Sequence, residues 1–343
     1  MGGSSMADKR RLGFALEAPS HVEETLREVA RLVEKHQRFL LTTHRSPDGD
    51  GIGSASGLAN ALRAMGKDVT LYSADVIPKR YLFIPGSERW VTTLAADARF
   101  DVSMVLDCAS LERLGPDMPG PGRRGVLVYL DHHATPGKGA DVYFNDETSP
   151  AIGEVVYRLL REVGHKLTAD VAEGLYASLV SDTGSFRYSN TSPQCMRCAA
   201  DLLETGIDPW RTSSNLFESD PVERTRLLAK ILATLDVSPD GKCAVLRASK
   251  SMLDETGATW DMVDGMINHA RAIAGVEVAV LFSDLGDGTQ KVSFRSRGNV
   301  NVAAVAQVFG GGGHFNAAGC TVAGDIAKTQ ARLYEAVREA IAK

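Results

Sequence analysis

Phe39-Leu-Leu-Thr-Thr43-His44-Arg-Ser-Pro-Asp48-Gly-Asp50-Gly-Ile-Gly-Ser54 is an apolar run that ends on a histidine and opens into a glycine-punctuated loop carrying two aspartates. The run reads as a buried strand and residues 52–65 as the helix that follows it. Strand, loop and helix in that order begin an α/β sheet. The pattern recurs downstream, with strand-like segments at 68–73, 102–106 and 126–130. Helix-like segments lie at 22–36, 151–163, 168–181 and 193–204. A mostly parallel sheet flanked by helices is the expected fold of this part.

The chain has 343 residues, which favours two domains. A catalytic domain is expected over 21–212, a helical linker over 213–238 and a smaller mixed-sheet α/β domain over 239–343. Strands at 243–247, 276–282 and 290–296, and helices at 260–272, 302–309 and 325–342, fill the latter. Residues 1–20 read as a leader or disordered tail. With a formal charge of −5, the chain lacks the basic balance of a long-duplex binder. No apolar run approaches the ~18 residues of a membrane span. A cytoplasmic location is the expectation, and the five scattered cysteines suit it.

Three apolar runs end on chargeable groups: His44 after the first, Asp107 after 102–106, and Asp131, His132 and His133 after 126–130. Ligands of an open parallel sheet bind outside the carboxyl ends of its strands. Asp48 and Asp50 follow His44 in the loop, and Asp182 follows the apolar run 174–180. An aspartate after a strand is an ordinary turn residue, yet so many acids at one edge repel unless protons or cations lie between them. A carboxylate and imidazole set without thiolate suits Mn²⁺, with Mg²⁺ or Co²⁺ as alternatives. Six ligands exceed the needs of one ion and suit two, roughly 3.5–4 Å apart. Asp107 is then the natural bridge.

Two rival motifs are weak. Gly49-Asp-Gly51-Ile-Gly53, with Asp75 beyond it, imitates a dinucleotide fingerprint, but the spacing differs and both aspartates would repel a pyrophosphate. Cys195-Met-Arg-Cys198 lacks a second ligand pair and falls on an apolar helical face, so both thiols read as structural.

The segments His44–Ser54, Asp107, Asp131-His132-His133 and Ser181-Asp182-Thr-Gly-Ser-Phe-Arg187 resemble the four successive motifs of the DHH phosphoesterase superfamily. Phe294-Arg-Ser296 and Gly310-Gly-Gly-Gly-His314-Phe-Asn-Ala-Ala-Gly319 resemble its DHH-associated C-terminal domain. The resemblance implies one metal on His44, Asp48 and Asp107, and a second on Asp50, Asp107, His132 and Asp182. It implies that Asp131 orients a histidine, while His133 faces the substrate or, alternatively, only supports a neighbour. Arg295, Ser296, Gly311, Gly312, Gly313, His314 and Asn316 would capture a nucleotide phosphate, the glycines through their backbone N–H groups. Arg187 and Asn190 either contact substrate or pack.

Among relatives, the chain resembles the stand-alone bacterial oligoribonuclease and pAp-phosphatase (NrnA-like) group. That implies attack of a metal-bound hydroxide on short RNA or DNA oligonucleotides, on linear dinucleotides such as pApA or pGpG, or on 3′-phosphoadenosine 5′-phosphate (pAp). A cyclic-dinucleotide phosphodiesterase and a catalytically silent nucleotide-binding regulator are the alternatives, and a homodimer is left open. Gly51 departs from the family's frequent alanine, and Phe315 stands after His314 where other residues are common.

Overall fold

The first sheet of the computed structural model, which describes residues 20–133, 137–286, 288–323 and 326–342, is parallel throughout. The expected leader, 1–20, lies almost wholly outside the described residues. The chain forms two compact units that meet between Ser219 and Asp220, inside the stretch expected to link them.

In the first unit, helix α1 (Ser20–Lys35) leads into β1 (Arg38–Thr42), α2 (Gly49–Ala64), β2 (Asp68–Tyr72) and the two-residue β3 (Trp90–Val91). Next come β4 (Val102–Leu106), the single turn α3 (Pro121–Arg124), β5 (Val126–Asp131) and β6 (Val142–Asn145). Helices α4 (Ile152–Glu162), α5 (Ala169–Asp182), α6 (Pro193–Leu203) and α7 (Pro209–Phe217) complete it. The strand order is β3-β2-β1-β4-β5-β6. It reverses between β1 and β4, so the loops leaving these neighbours diverge and open a crevice at their carboxyl ends. Strand β4 is buried along its whole length, as its unbroken apolar run requires in a sheet covered on both faces.

Helices α2 and α5 cross at glycines. A Cβ on Gly53 would lie 2.4 Å from the Gly174 carbonyl oxygen, and one on Gly174 would lie 2.6 Å from that of Gly53. The crossing brings the N-terminus of α2 and the C-terminus of α5 to the same edge of the sheet. Helix α2 begins at Gly49, three residues before the expected start, because Asp48 caps it: its Oδ1 accepts from the N–H groups of Asp50 and Gly51 at 3.1 and 3.2 Å. Asp50 is thus a first-turn helical residue, not the loop residue expected. Cys195 and Cys198 are buried in the main core, where burial pushes the Cys195 thiol up to about 12, in keeping with a structural role.

The second unit contains α8 (Val222–Leu232), β7 (Asp236–Val237), β8 (Cys243–Ser249), α9 (Lys250–Thr256), α10 (Ile267–Arg271), β9 (Val278–Asp284) and β10 (Thr289–Ser296). It ends with α11 (Val302–Val308), β11 (Gly312–His314), β12 (Ala317–Ala323) and α12 (Ile326–Ile341). The sheet order is β11-β12-β10-β9-β8-β7, with one parallel pair, β8–β9. Leu227 and Ile231 of α8 pack against Leu246 and Leu281 on one face, while α11 and α12 cover Val280 and Phe294 on the other. The single helix expected over 260–272 is two pieces, a 3-10 turn Trp260–Val263 and α10, separated by Gly265 at φ 77. The glycine run is part of the sheet. Residues Gly312–His314 form an edge strand, and the N–H of Gly311 closes α11 on the Ala306 carbonyl at 2.9 Å.

Candidate metal centre

Two imidazoles are fixed by their backbone bonds. His44 donates from Nδ1 to the Arg45 carbonyl at 2.7 Å, and His132 from Nδ1 to the Ser149 carbonyl at 3.1 Å. A proton held on Nδ1 leaves a lone pair on Nε2, the tautomer of a metal-ligating histidine. His44 Nε2 stands 3.8 Å from Asp48 Oδ2 and 3.3 Å from Asp107 Oδ2. His132 Nε2 stands 3.5 Å from Asp50 Oδ2, 3.5 Å from Asp107 Oδ1 and 3.6 Å from Asp182 Oδ2. Asp107 therefore turns one oxygen to each histidine. It does so from a left-handed backbone, φ 59, a costly conformation for a residue with a side chain, which aspartate tolerates better than most.

The carboxylates are divided in the same way. Asp48 spends Oδ1 on capping α2 and leaves Oδ2 facing His44. Asp50, fully buried, accepts from the Ile152 N–H at 3.0 Å and from the Ser178 hydroxyl, and directs Oδ2 to His132. Ser178 in turn accepts the Gly153 N–H at 2.8 Å. Asp131 accepts from His133 Nδ1 at 2.7 Å and from the His132 N–H at 2.9 Å, so the histidine it orients is His133.

All six residues expected as ligands meet here. His44, Asp48 and Asp107 form one group of donor atoms within 4.8 Å of one another, and Asp50, His132 and Asp182 form another. Burial and the neighbouring Asp107 push Asp50 up to about 7, and burial with Asp50 and Asp107 raises Asp182 well above the carboxylate range. Burial opposes charge on His132, but Asp107, Asp50 and Asp182 outweigh it and lift the imidazole to about 10. Burial likewise works to raise Asp107, yet His132 and His44 hold it below its ordinary value. Asp131 raises His133. The site thus demands positive charge from some source.

A divalent cation fits that demand. His132 Nε2 is buried without a hydrogen-bond partner while three carboxylate oxygens surround it at 3.5–3.6 Å. An orphaned buried nitrogen costs about 1–3 kcal/mol, and ligation removes that cost. These acidic and imidazole groups are positioned to hold a metal ion.

The remaining expected residues are more scattered. Arg187 is exposed, with Nε donating to the Gly184 carbonyl at 2.6 Å. Asn190 donates to the carbonyls of Asp182 and Pro150, bracing the chain behind a ligand. In the second unit, Ser296 donates to Asn316 Oδ1 at 2.8 Å. Arg295 precedes Ser296 on β10 and so faces the other side of the sheet. The His314 side chain lies outside the described residues.

Sequence reasoning missed the groups that aim the ligands: the Ser149 carbonyl, the Ile152 N–H and the Ser178 hydroxyl. Backbone groups leave no residue signature. Ser178 did leave one, as the only polar residue in the apolar run Gly174-Leu-Tyr-Ala-Ser178-Leu-Val180.

The chain is 32% identical over 323 residues to the "Bifunctional oligoribonuclease and PAP phosphatase NrnA" of Thermus thermophilus, covering 93% of this chain and 95% of that one. It is 26% identical to the Bacillus subtilis protein of the same name, over 86% of this chain and 92% of that one. The crystal structure of an exopolyphosphatase-related protein from Bacteroides fragilis shares the fold, with a TM-score of 0.84, 23% identity, and coverage of 92% of this chain and 96% of that chain. Among the described residues no helix is long and apolar enough to cross a membrane. The N-terminal domain of the DHH family matches residues 38–179 and the DHHA1 domain matches 240–343, so the chain belongs to the DHH family of metal-dependent phosphoesterases and carries a DHHA1 domain behind its DHH domain.

Proposed function

We propose that the protein is a two-metal phosphoesterase that hydrolyses short oligonucleotides, including linear dinucleotides, and pAp. One observation carries the reading. The Asp107 carboxylate is split between two groups of donors, Oδ2 toward His44 and Oδ1 toward His132. A carboxylate so divided suits a pair of ions, with His44 and Asp48 on one side and Asp50, His132 and Asp182 on the other.

The donor set of imidazole nitrogens and carboxylate oxygens suits Mn²⁺, with Mg²⁺ or Co²⁺ as alternatives. Bound, the ions would neutralise phosphoryl oxygens and lower the pKa of water. The chain's own groups do the rest. His44 and His132 offer Nε2 because their Nδ1 protons are committed to carbonyls. His133, oriented by Asp131 through Nδ1, holds its second proton on Nε2 when charged, ready for a phosphoryl oxygen or the leaving oxygen. Arg187 in the first unit, and Arg295, Ser296, Gly311, Gly312, Gly313, His314 and Asn316 in the second, are the substrate contacts of this reading. The similarity to proteins named for oligoribonuclease and PAP phosphatase activity supports the substrate class.

The purified protein with Mn²⁺ should turn over pApA or pAp, and longer RNA and pyrophosphate more slowly. Cyclic di-AMP and cyclic di-GMP belong in the same panel. Turnover of none of these would defeat the reading, and turnover of pyrophosphate alone would replace it.

A further inference from the structure

Strand β6 ends at Asn145, and the stretch Asn145-Asp146-Glu147-Thr148-Ser149 bonds each member of the Asp131–His133 segment. The Asp146 N–H donates to the Asp131 carbonyl at 3.0 Å. The Ser149 carbonyl accepts from His132 Nδ1 at 3.1 Å, and Asn145 Nδ2 donates to the His133 carbonyl at 3.1 Å. The path of this stretch therefore sets where the His132 ring stands. With the ring it sets where Nε2 meets Asp50, Asp107 and Asp182.

Beyond Asn145 the stretch belongs to no strand or helix. Its shape depends on the side chain of Asp146, which is 2% exposed and divides its two oxygens. Oδ1 accepts from the Thr148 N–H at 3.0 Å and from the Thr148 hydroxyl, while the Asp146 carbonyl accepts from the Ser149 N–H at 3.0 Å. These bonds turn the chain back between 146 and 149. Oδ2 accepts from Arg158 of α4 at 2.6 Å. Arg158 also pairs with Glu23 of α1 and lies over the Phe144 ring of β6. One oxygen thus shapes the turn, and the other ties it to the helices behind. As a source of stability alone a buried ion pair is a poor device, since apolar side chains of similar volume often replace it without loss. Its connection to the His132 ring gives it another use.

We propose that Asp146 is a positioning residue of the metal centre: it fixes the turn whose Ser149 carbonyl holds the His132 ring in register with its fellow ligands. The inference rests on the two-metal reading. It assigns Asp146 to one ion, that of Asp50, His132 and Asp182, and not to that of His44 and Asp48.

Manganese titrations of the full-length protein, with free Mn²⁺ counted by its electron paramagnetic resonance signal, test it. The parent should take up two ions. Asp146→Ala should weaken one of them by about 10–100-fold, the scale for groups that orient metal ligands, and leave the other within about twofold. Asp146→Asn, which keeps an acceptor for the Thr148 N–H, should recover most of that affinity. In a His132→Ala background Asp146→Ala should add nothing, because the ring through which it acts is gone. The double variant Asp146→Leu/Arg158→Met exchanges the buried pair for apolar groups and so separates positioning from folding. It should unfold near the parent's temperature and still lose the same ion. Equal weakening of both ions, unchanged affinity in Asp146→Ala, or the same further loss without His132 overturns the inference. A parent that takes up a single ion defeats the two-metal reading instead. Asp146 then keeps its role only if Asp146→Ala weakens that ion in the presence of His132 and not in its absence.

Discussion

The two sheets of this protein present polar groups in opposite ways. The parallel sheet gathers them at strand ends, where Asp107 follows β4 and Asp131 ends β5 just before His132 and His133, and it holds them in mutual contact. The mixed sheet presents them along a strand face, where Lys291, Ser293 and Arg295 are spaced by the pleat. The first arrangement collects repelling charges and constrains each by at least two bonds or neighbours. The second keeps its cations apart along the strand. Strain and unmet charge concentrate at the ends of strands.

If that contrast is right, substitutions in the first site should cost far more than those in the second unit. Asp107→Asn should reduce turnover by about 10²–10³-fold or more, as for loss of a principal electrostatic group, and should lower bound Mn²⁺ measured by elemental analysis. Asparagine also tolerates a left-handed backbone, so the fold should survive. An active Asp107→Asn protein would end the two-ion reading.

The next effect concerns the buried acid behind that site. Burial lifts Glu154 to about 7, and its Oε2 has no partner. A carboxyl raised above its unfolded value stabilises fully below the unfolded pKa, and that contribution is lost as pH rises through about 7. Denaturant titrations should therefore show stability falling from near pH 4.5 to above 7, by on the order of 3 kcal/mol. Glu154→Gln should flatten the profile. An identical profile in the variant would remove Glu154 as its source.

Smaller still is Ser178→Ala, which takes one bond each from Asp50 and Gly153. It should destabilise the protein by about 1–3 kcal/mol and weaken Mn²⁺ binding measured by calorimetry. Unchanged metal affinity would make Ser178 a packing residue only. Asn316→Ala removes the acceptor of the Ser296 hydroxyl and should cost about 1 kcal/mol in thermal unfolding. A larger loss there than at Ser178 would reverse the comparison.

The strands that deliver ligands were legible because each is a short apolar run ending on a charged group, and carboxyl edges collect ligands. Strand β6 was not: Val142-Tyr-Phe-Asn145 is four residues long, and its role is to lead into the turn whose Ser149 carbonyl holds His132. Helix α2 was expected to start late because glycines lower helix propensity. Close packing accounts for Gly53 there, and the Asp48 cap begins the helix earlier. The glycine run before His314 has poor strand propensity, and only pairing with β12 makes it a strand. The strand at 290–296 was legible, and its two-residue pleat puts Arg295 and Ser296 on opposite faces.

The contact between Gly53 and Gly174 has a consequence for how this enzyme could drift over generations. It is a fulcrum: the helices it joins carry Asp50 at one tip and Asp182 at the other. A methyl wedge there would act through both levers at once, widening the gap between two acids that must share the same charge. Steric tolerance in the dry interior and chemistry at the rim are therefore selected together, and neither glycine can be traded for stability alone.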